Sequence, residues 1–175
     1  MGTKISTIVF RSLKTATLLA VFFVFTSSTA FAGPGKVNFT GKWKINETKS
    51  TSSGGGFGPA KMLNITQEGN LLSVERTQTN RNGEEMTVSL KYTLDGKECD
   101  NSNDRRTSKS NLSWSEDGKS LTINTTSTSE RDGQTFETKS IDIWKLSEDG
   151  KTLSIDQTSN SSRGERKSSL VYDKN

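Results

Sequence analysis

Seven glycines fall in tight-turn contexts along the chain: Gly69 (EGN), Gly83 (RNG), Gly96 (LDGK), Gly118 (EDGK), Gly133 (RDGQ), Gly150 (EDGK) and Gly164 (SRG), at spacings of 14, 13, 22, 15, 17 and 14 residues. Between them run Thr-rich, β-branched stretches in which apolar and polar residues alternate, as Met86, Val88, Leu90, Tyr92 and Leu94 do against Thr87, Ser89, Lys91 and Thr93. A period of two is that of a strand with one face buried. Asp-Gly supplies the positive φ angles that a two-residue hairpin turn prefers. With an initial strand over about residues 37–46 and another over about 61–67, nine strands follow one another in up-and-down order. No stretch of 33–175 carries a sustained helical stripe. The expected fold is all-β, a single antiparallel up-and-down barrel of about eight to nine strands, because closure removes the exposed edges of an open meander.

A short internal repeat supports the same reading. SEDGKSLTI (115–123) recurs as SEDGKTLSI (147–155), and EGNLLSV (68–74) is a looser third copy. Propellers and solenoids need longer series of equal units, so these are repeated hairpins within one sheet. Residues 47–60 (ETKSTSSGGGFGPA) are the long Gly/Ser connection, read as a flexible loop that could also act as a lid. Residues 99–104 (CDNSND) read as a second loop.

The first 32 residues belong to a different physical class. Lys4, Arg11 and Lys14 precede the uncharged run 16–25 (ATLLAVFFVF), which is followed by SST and then Ala30-Phe31-Ala32. This is the order of a secretory signal, with cleavage expected after Ala32. The apolar run is far shorter than the roughly 20 residues needed to span a bilayer. The expected organisation is a signal peptide over 1–32 and one domain over 33–175, secreted or periplasmic, with no integral membrane segment after cleavage. Cys99, the single cysteine, cannot form an internal disulfide.

Charge and composition exclude more than they suggest. Residues 33–175 carry 21 bases and 20 acids, so the basic character of the whole chain comes largely from its leader. A reader of nucleic acid needs a basic stripe, and none is offered. The chain has no histidine, which removes the near-neutral general base, Ser-His-Asp and Cys-His devices, and His-rich metal sites. No cofactor and no metal are expected, and an enzyme is disfavoured. Six Asn-x-Ser/Thr triplets, at Asn38, Asn46, Asn64, Asn111, Asn124 and Asn160, are discounted because so Ser/Thr-rich a chain produces them by chance.

Phe39-Thr40-Gly41-Lys42-Trp43-Lys44-Ile45 stands at the front of the domain, and its Gly41-x-Trp43 resembles the first strand of a lipocalin-like protein. YTLDGKEC (92–99), LSEDGKTL (146–153) and LVYDK (170–174) extend the resemblance, over nearly all of 33–175, to small exported bacterial lipocalin-like proteins of unassigned role. The resemblance implies a barrel closed at one end by Trp43, with a basic residue of the last strand over its indole. Arg166 and Lys167 are both available, and Arg166 is preferred for its planar stacking. The disulfides and trailing helix common in eukaryotic lipocalins have no counterpart here, which sets aside their odorant and retinoid ligands.

Alternation assigns the interior. Leu72, Val74, Arg76 and Gln78 share one parity, as do Arg106, Ser108, Ser110, Leu112 and Trp114, then Leu121, Ile123, Thr125 and Ser127, then Leu153, Ile155, Gln157 and Ser159, and finally Arg166, Ser168, Leu170 and Tyr172. In each set the apolar members lie toward one end. The expectation is a cup with a packed floor and a polar mouth. The segment 136–146 is ambiguous, because Ile141 and Ile143 oppose Phe136, Asp142, Trp144 and Leu146, which points to a bulge or a second buried face.

Two functions follow. One is a non-catalytic binding module, expected as a monomer, that holds a small polar or anionic ligand at the mouth through Arg76, Gln78, Arg106, Ser108 and Arg166. The other is an envelope or extracellular interaction protein with a filled barrel and no small-molecule ligand. Glycosidase chemistry would need a second carboxylate beside Asp142.

Overall fold

The repeated Ser-Glu-Asp-Gly-Lys segments fold into the same hydrogen-bonded turn twice. Ser115 Oγ donates to Asp117 Oδ1 at 2.6 Å, Asp117 Oδ1 also accepts from Lys119 N–H at 3.0 Å, and Ser120 N–H donates back to Ser115 Oγ at 2.9 Å. Ser147, Asp149, Lys151 and Thr152 repeat the set at 2.6, 3.0 and 2.9 Å. These loops are longer than the two-residue turn expected from Asp-Gly, because the flanking Ser and the Asp side chain replace main-chain partners. Asp132-Gly133 does form that two-residue turn, with φ of 53° and 71° in succession.

The structure is a computed structural model that describes residues 2, 35–52, 59–80 and 82–175. The chain divides into two compact units, Met1–Phe31 and Ala32–Asn175. The leader expected over 1–32 lies outside the described residues except for Gly2, as do residues 53–58 of the long loop. No described helix is long and apolar enough to cross a membrane.

Among its described residues the second unit is all-β, with eleven strands: β1 (Gly41–Ile45), β2 (Thr51–Ser52), β3 (Met62–Glu68), β4 (Leu71–Thr79), β5 (Glu85–Thr93), β6 (Cys99–Asp100), β7 (Thr107–Trp114), β8 (Ser120–Arg131), β9 (Gln134–Leu146), β10 (Thr152–Ser161) and β11 (Gly164–Lys174). The sheet order is β5-β4-β3-β1-β11-β10-β9-β8-β7-β6, with β2 on β11 and every pairing antiparallel. The eight to nine strands expected from sequence are therefore too few. The two additions, β2 within the expected long loop and β6 within the expected 99–104 loop, have two residues each and show no period.

The barrel is nearly closed. Between β5 and β6 no ladder forms, and side chains bridge the gap. Asn101 accepts from Lys91 N–H at 2.8 Å and donates to Lys91 C=O at 2.9 Å, so its carboxamide stands where a peptide group would. Cys99 Sγ accepts from Thr93 N–H at 3.1 Å. The cysteine is buried in this seam rather than lying in a loop.

One end is packed solid. Phe39, Trp43, Leu72, Leu121, Leu153 and Tyr172 are all 0% exposed and belong to one apolar cluster. Phe39 stacks on Trp114 with centroids 5.9 Å apart and meets Trp144 edge-on at 5.7 Å. Trp43 Nε1 donates to Phe39 C=O at 3.0 Å. A Cβ at Gly41, whose φ is +155°, would lie 3.2 Å from Lys174 Cε and 3.3 Å from Trp43 Nε1, so only glycine fits there without displacement.

The cation over the indole is Lys174, 5.4 Å from the ring, and neither Arg166 nor Lys167. Trp43 pairs with Lys174 across β1 and β11, whereas Arg166 and Lys167 pair with Ser159 and Thr158 toward the other end. The ambiguous segment is also resolved. β9 keeps unbroken register with β8 and β10, so there is no bulge. Trp144 is buried with Asp142 on its inward parity, and Ile141, 46% exposed, faces out.

Candidate functional site

Above the floor, the inward positions turn polar one layer at a time. Ser110 and Thr125 form a cross-strand hydroxyl pair at 2.8 Å. On β9 and β10, Asp142 pairs with Gln157, whose Nε2 donates to Asp142 Oδ1 at 2.8 Å. Arg76, Tyr92, Asp142, Gln157 and Tyr172 border an enclosed cavity of about 20 Å³, walled otherwise by apolar side chains. That volume holds one water molecule at most.

Electrostatics in this layer follow from burial. Desolvation raises the pKa of Asp142 against the opposing effects of the Gln157 hydrogen bond and Arg76. Desolvation also pushes Tyr92 and Tyr172 up to about 12. A carboxyl raised in the fold contributes stability that is complete below its unfolded pKa near 3.8 and is lost as pH rises through its folded value. The Asp142 contribution should therefore grow as pH falls through its folded value toward 3.8. In Asp142→Asn that increment should vanish, as measured by urea unfolding across the range.

The next layer carries the arginines. Arg106, in the turn ahead of β7, sends its guanidinium inward to donate to Ser127 Oγ, a buried acceptor. Burial of that head, and then the charge of Arg76, lower the Arg106 pKa. Neither arginine makes an ion pair among the described residues. Above them opens a cavity of about 830 Å³ at the mouth, lined by the turns before β7, between β8 and β9, and between β10 and β11. Its wall is polar. Arg105, Arg106, Arg131, Arg163 and Arg166 face Asp104, Glu130 and Glu137 there, and Phe136 is the apolar residue among the described lining.

Of the residues singled out from sequence, Arg106 and Arg166 thus share the mouth, and Arg76 borders the inner cavity, within electrostatic reach of Arg106. Gln78 and Ser108 are half-buried on their strands and do not line the mouth cavity. Ser108 instead gives its N–H to Ser102 Oγ at 2.9 Å. Sequence parity did not single out Arg105 and Arg163, which lie in turns, nor Arg131, the last residue of β8; for Arg131 and Arg163 the nearby Gly133 and Gly164 were the available signal. It also missed that Tyr92 and Tyr172 would join Asp142. Among the described residues no group of three or more His, Cys, Asp or Glu is placed to hold a metal.

No family model matches the sequence. No curated protein matches it either. Among solved structures the chain is similar to zebrafish ileal bile acid-binding protein complexed with cholic acid, at 20% identity and a TM-score of 0.49, over 78% of this chain and 98% of that one. The cholic acid belongs to that protein.

Proposed function

We propose that this chain is an exported, lipocalin-like, non-catalytic binding protein that holds a small anionic and polar ligand at the barrel mouth. One observation carries the reading: the half-buried Arg76 lies within electrostatic reach of Arg106, whose guanidinium is partly desolvated, and although Arg76 also acts on Asp142, neither arginine makes an ion pair among the described residues. Two like charges in such a place repel unless an anion joins them, and guanidinium forks bind carboxylate and phosphate through paired, charge-assisted hydrogen bonds. The mouth volume of about 830 Å³ is in the range of small-molecule sites. Its charged wall favours a hydroxylated ligand over a long alkyl chain.

The reading without catalysis rests on Asp142. It is the carboxylate that borders the inner cavity, and the buried polar residues among those described are Ser110 and Ser127, so no second buried carboxylate stands beside it. Export rests on the leader pattern of 1–32, and amino-terminal sequencing of the released protein should begin at Gly33.

Calorimetry with a panel of carboxylates and phosphates tests the site. Wild type should bind at least one of them, and Arg106→Ala should bind it at least about tenfold more weakly, the loss expected of a charge-assisted pair. Equal binding by both proteins removes Arg106 from the site. The second reading, an interaction protein with a filled barrel, is favoured by the inner cavity of only about 20 Å³. It predicts no heat from any member of the panel.

A further inference from the structure

β5 has one paired edge and one open edge. Toward β4 its ladder runs without a break from Glu85, opposite Thr79, to Thr93, opposite Leu71. On the other side the Asn101 carboxamide takes the N–H and C=O of Lys91, and Cys99 takes the N–H of Thr93. In an antiparallel strand both main-chain groups of alternate residues point the same way. Glu85, Thr87 and Ser89 therefore also turn theirs away from β4, and no described residue bonds them. The stretch is exposed at Glu85, Met86, Thr87 and Ser89, and Met86, at 39%, is one of three exposed large apolar side chains among the described residues. Such an edge is a template for another strand.

Its sequence is complementary to itself. When two copies run antiparallel with Val88 on the two-fold axis, Thr87 falls opposite Ser89, Met86 opposite Leu90, and Glu85 opposite Lys91. Thr87 and Ser89 are outward-bonding residues, so their two pairs make the hydrogen-bonded rings and Val88 meets Val88 at the intervening close pair, the alternation that an antiparallel ladder requires. Opposite charges meet at both ends, and apolar residues meet apolar residues on the inner side. Pairing stops before the main chain of Lys91, so the Asn101 bridge stays intact.

We propose that two copies of this chain associate reversibly through the free edge of β5 in this register, an isologous contact around Val88. The contact is short, so the pair is weak and the monomer prevails on dilution.

Sedimentation over a wide concentration range tests this. The average mass of the wild type should rise toward that of a dimer as concentration increases. Lys91→Glu, which places two carboxylates at each end, should weaken the dimer about tenfold or more, and the double variant Glu85→Lys with Lys91→Glu should restore it. Val88→Cys should form a disulfide-linked dimer under oxidation, and Thr87→Cys, whose partner is Ser89, should not. A wild type that stays monomeric at every concentration overturns the proposal and leaves the edge to some other extended peptide. So does a dimer indifferent to the charge reversal, or one linked equally well through position 87. If Val88→Cys fails to fold, the charge variants decide, since Glu85 and Lys91 are both exposed.

Discussion

Trp43→Ala should lower unfolding free energy by about 3–5 kcal/mol, the range for truncating a fully buried aromatic. The indole is 0% exposed, and its neighbours in the floor cluster include Leu72, Leu121 and Leu153, each also at 0%. Those three residues come from three different strands, so the cavity left behind cannot be filled by moving any one of them. The variant also deprives the Phe39 carbonyl of its indole donor and leaves Lys174 without the ring beneath it. Trp43→Phe keeps most of the volume and loses the N–H, so it should recover more than half of the loss. Urea titration of the three proteins measures both. A loss below about 1 kcal/mol for Trp43→Ala contradicts the packing described for the floor.

A second large effect is expected in alkali. The chain has two tyrosines, and burial pushes both from 10.0 up to about 12. For a raised group, the stabilising contribution is fully present below the unfolded pKa and is lost as pH rises through the folded one. At about 1.36 kcal/mol per unit, each phenol accounts for on the order of 2–3 kcal/mol between pH 10 and about 12. Together they approach the low end of the roughly 5–15 kcal/mol that holds a domain folded. The protein should therefore be stable at pH 9 and unfold cooperatively before its phenols titrate, with phenolate absorbance appearing together with loss of the sheet signal in circular dichroism. Tyr172→Phe should move that transition upward. Phenolate absorbance rising gradually around pH 10 in a still-folded protein would show that the rings are accessible to solvent.

The turns, the alternation and the floor were legible because each depends on residues close together in sequence. Leu121 and Ile123 follow their Asp-Gly turn by a fixed offset, and so do Leu153 and Ile155; in the structure both pairs lie in the apolar cluster. What escaped was set by register between distant segments. Lys174 covers Trp43 because of the pairing of β1 with β11, which no local pattern reports. Asp142 was left undecided by two flanking isoleucines, and the partner strands that settle its side lie on either side of β9. The strands β2 and β6 are pairings of two residues each, too short to show a period. The arginines divide along the same line: strand parity picked out Arg76, Arg106 and Arg166, of which the last two line the mouth, whereas Arg105 and Arg163 in turns and Arg131 at the end of β8 came unannounced.

The adjacency of β1 and β11 bears on the order in which the molecule can be made. β1 lies between β3, a near neighbour in sequence, and β11, the last described strand in sequence order. Until β11 arrives, β1 has a bare side, and Trp43 lacks Tyr172 and Leu170 from the cluster that buries it. A chain that has not yet made β11 therefore cannot close its floor, and contacts this distant in sequence form late and slowly. The length of chain already made stays pliant until β11 emerges. That is the condition in which a polypeptide can be threaded through a narrow translocation channel, and it suits the export proposed for this protein.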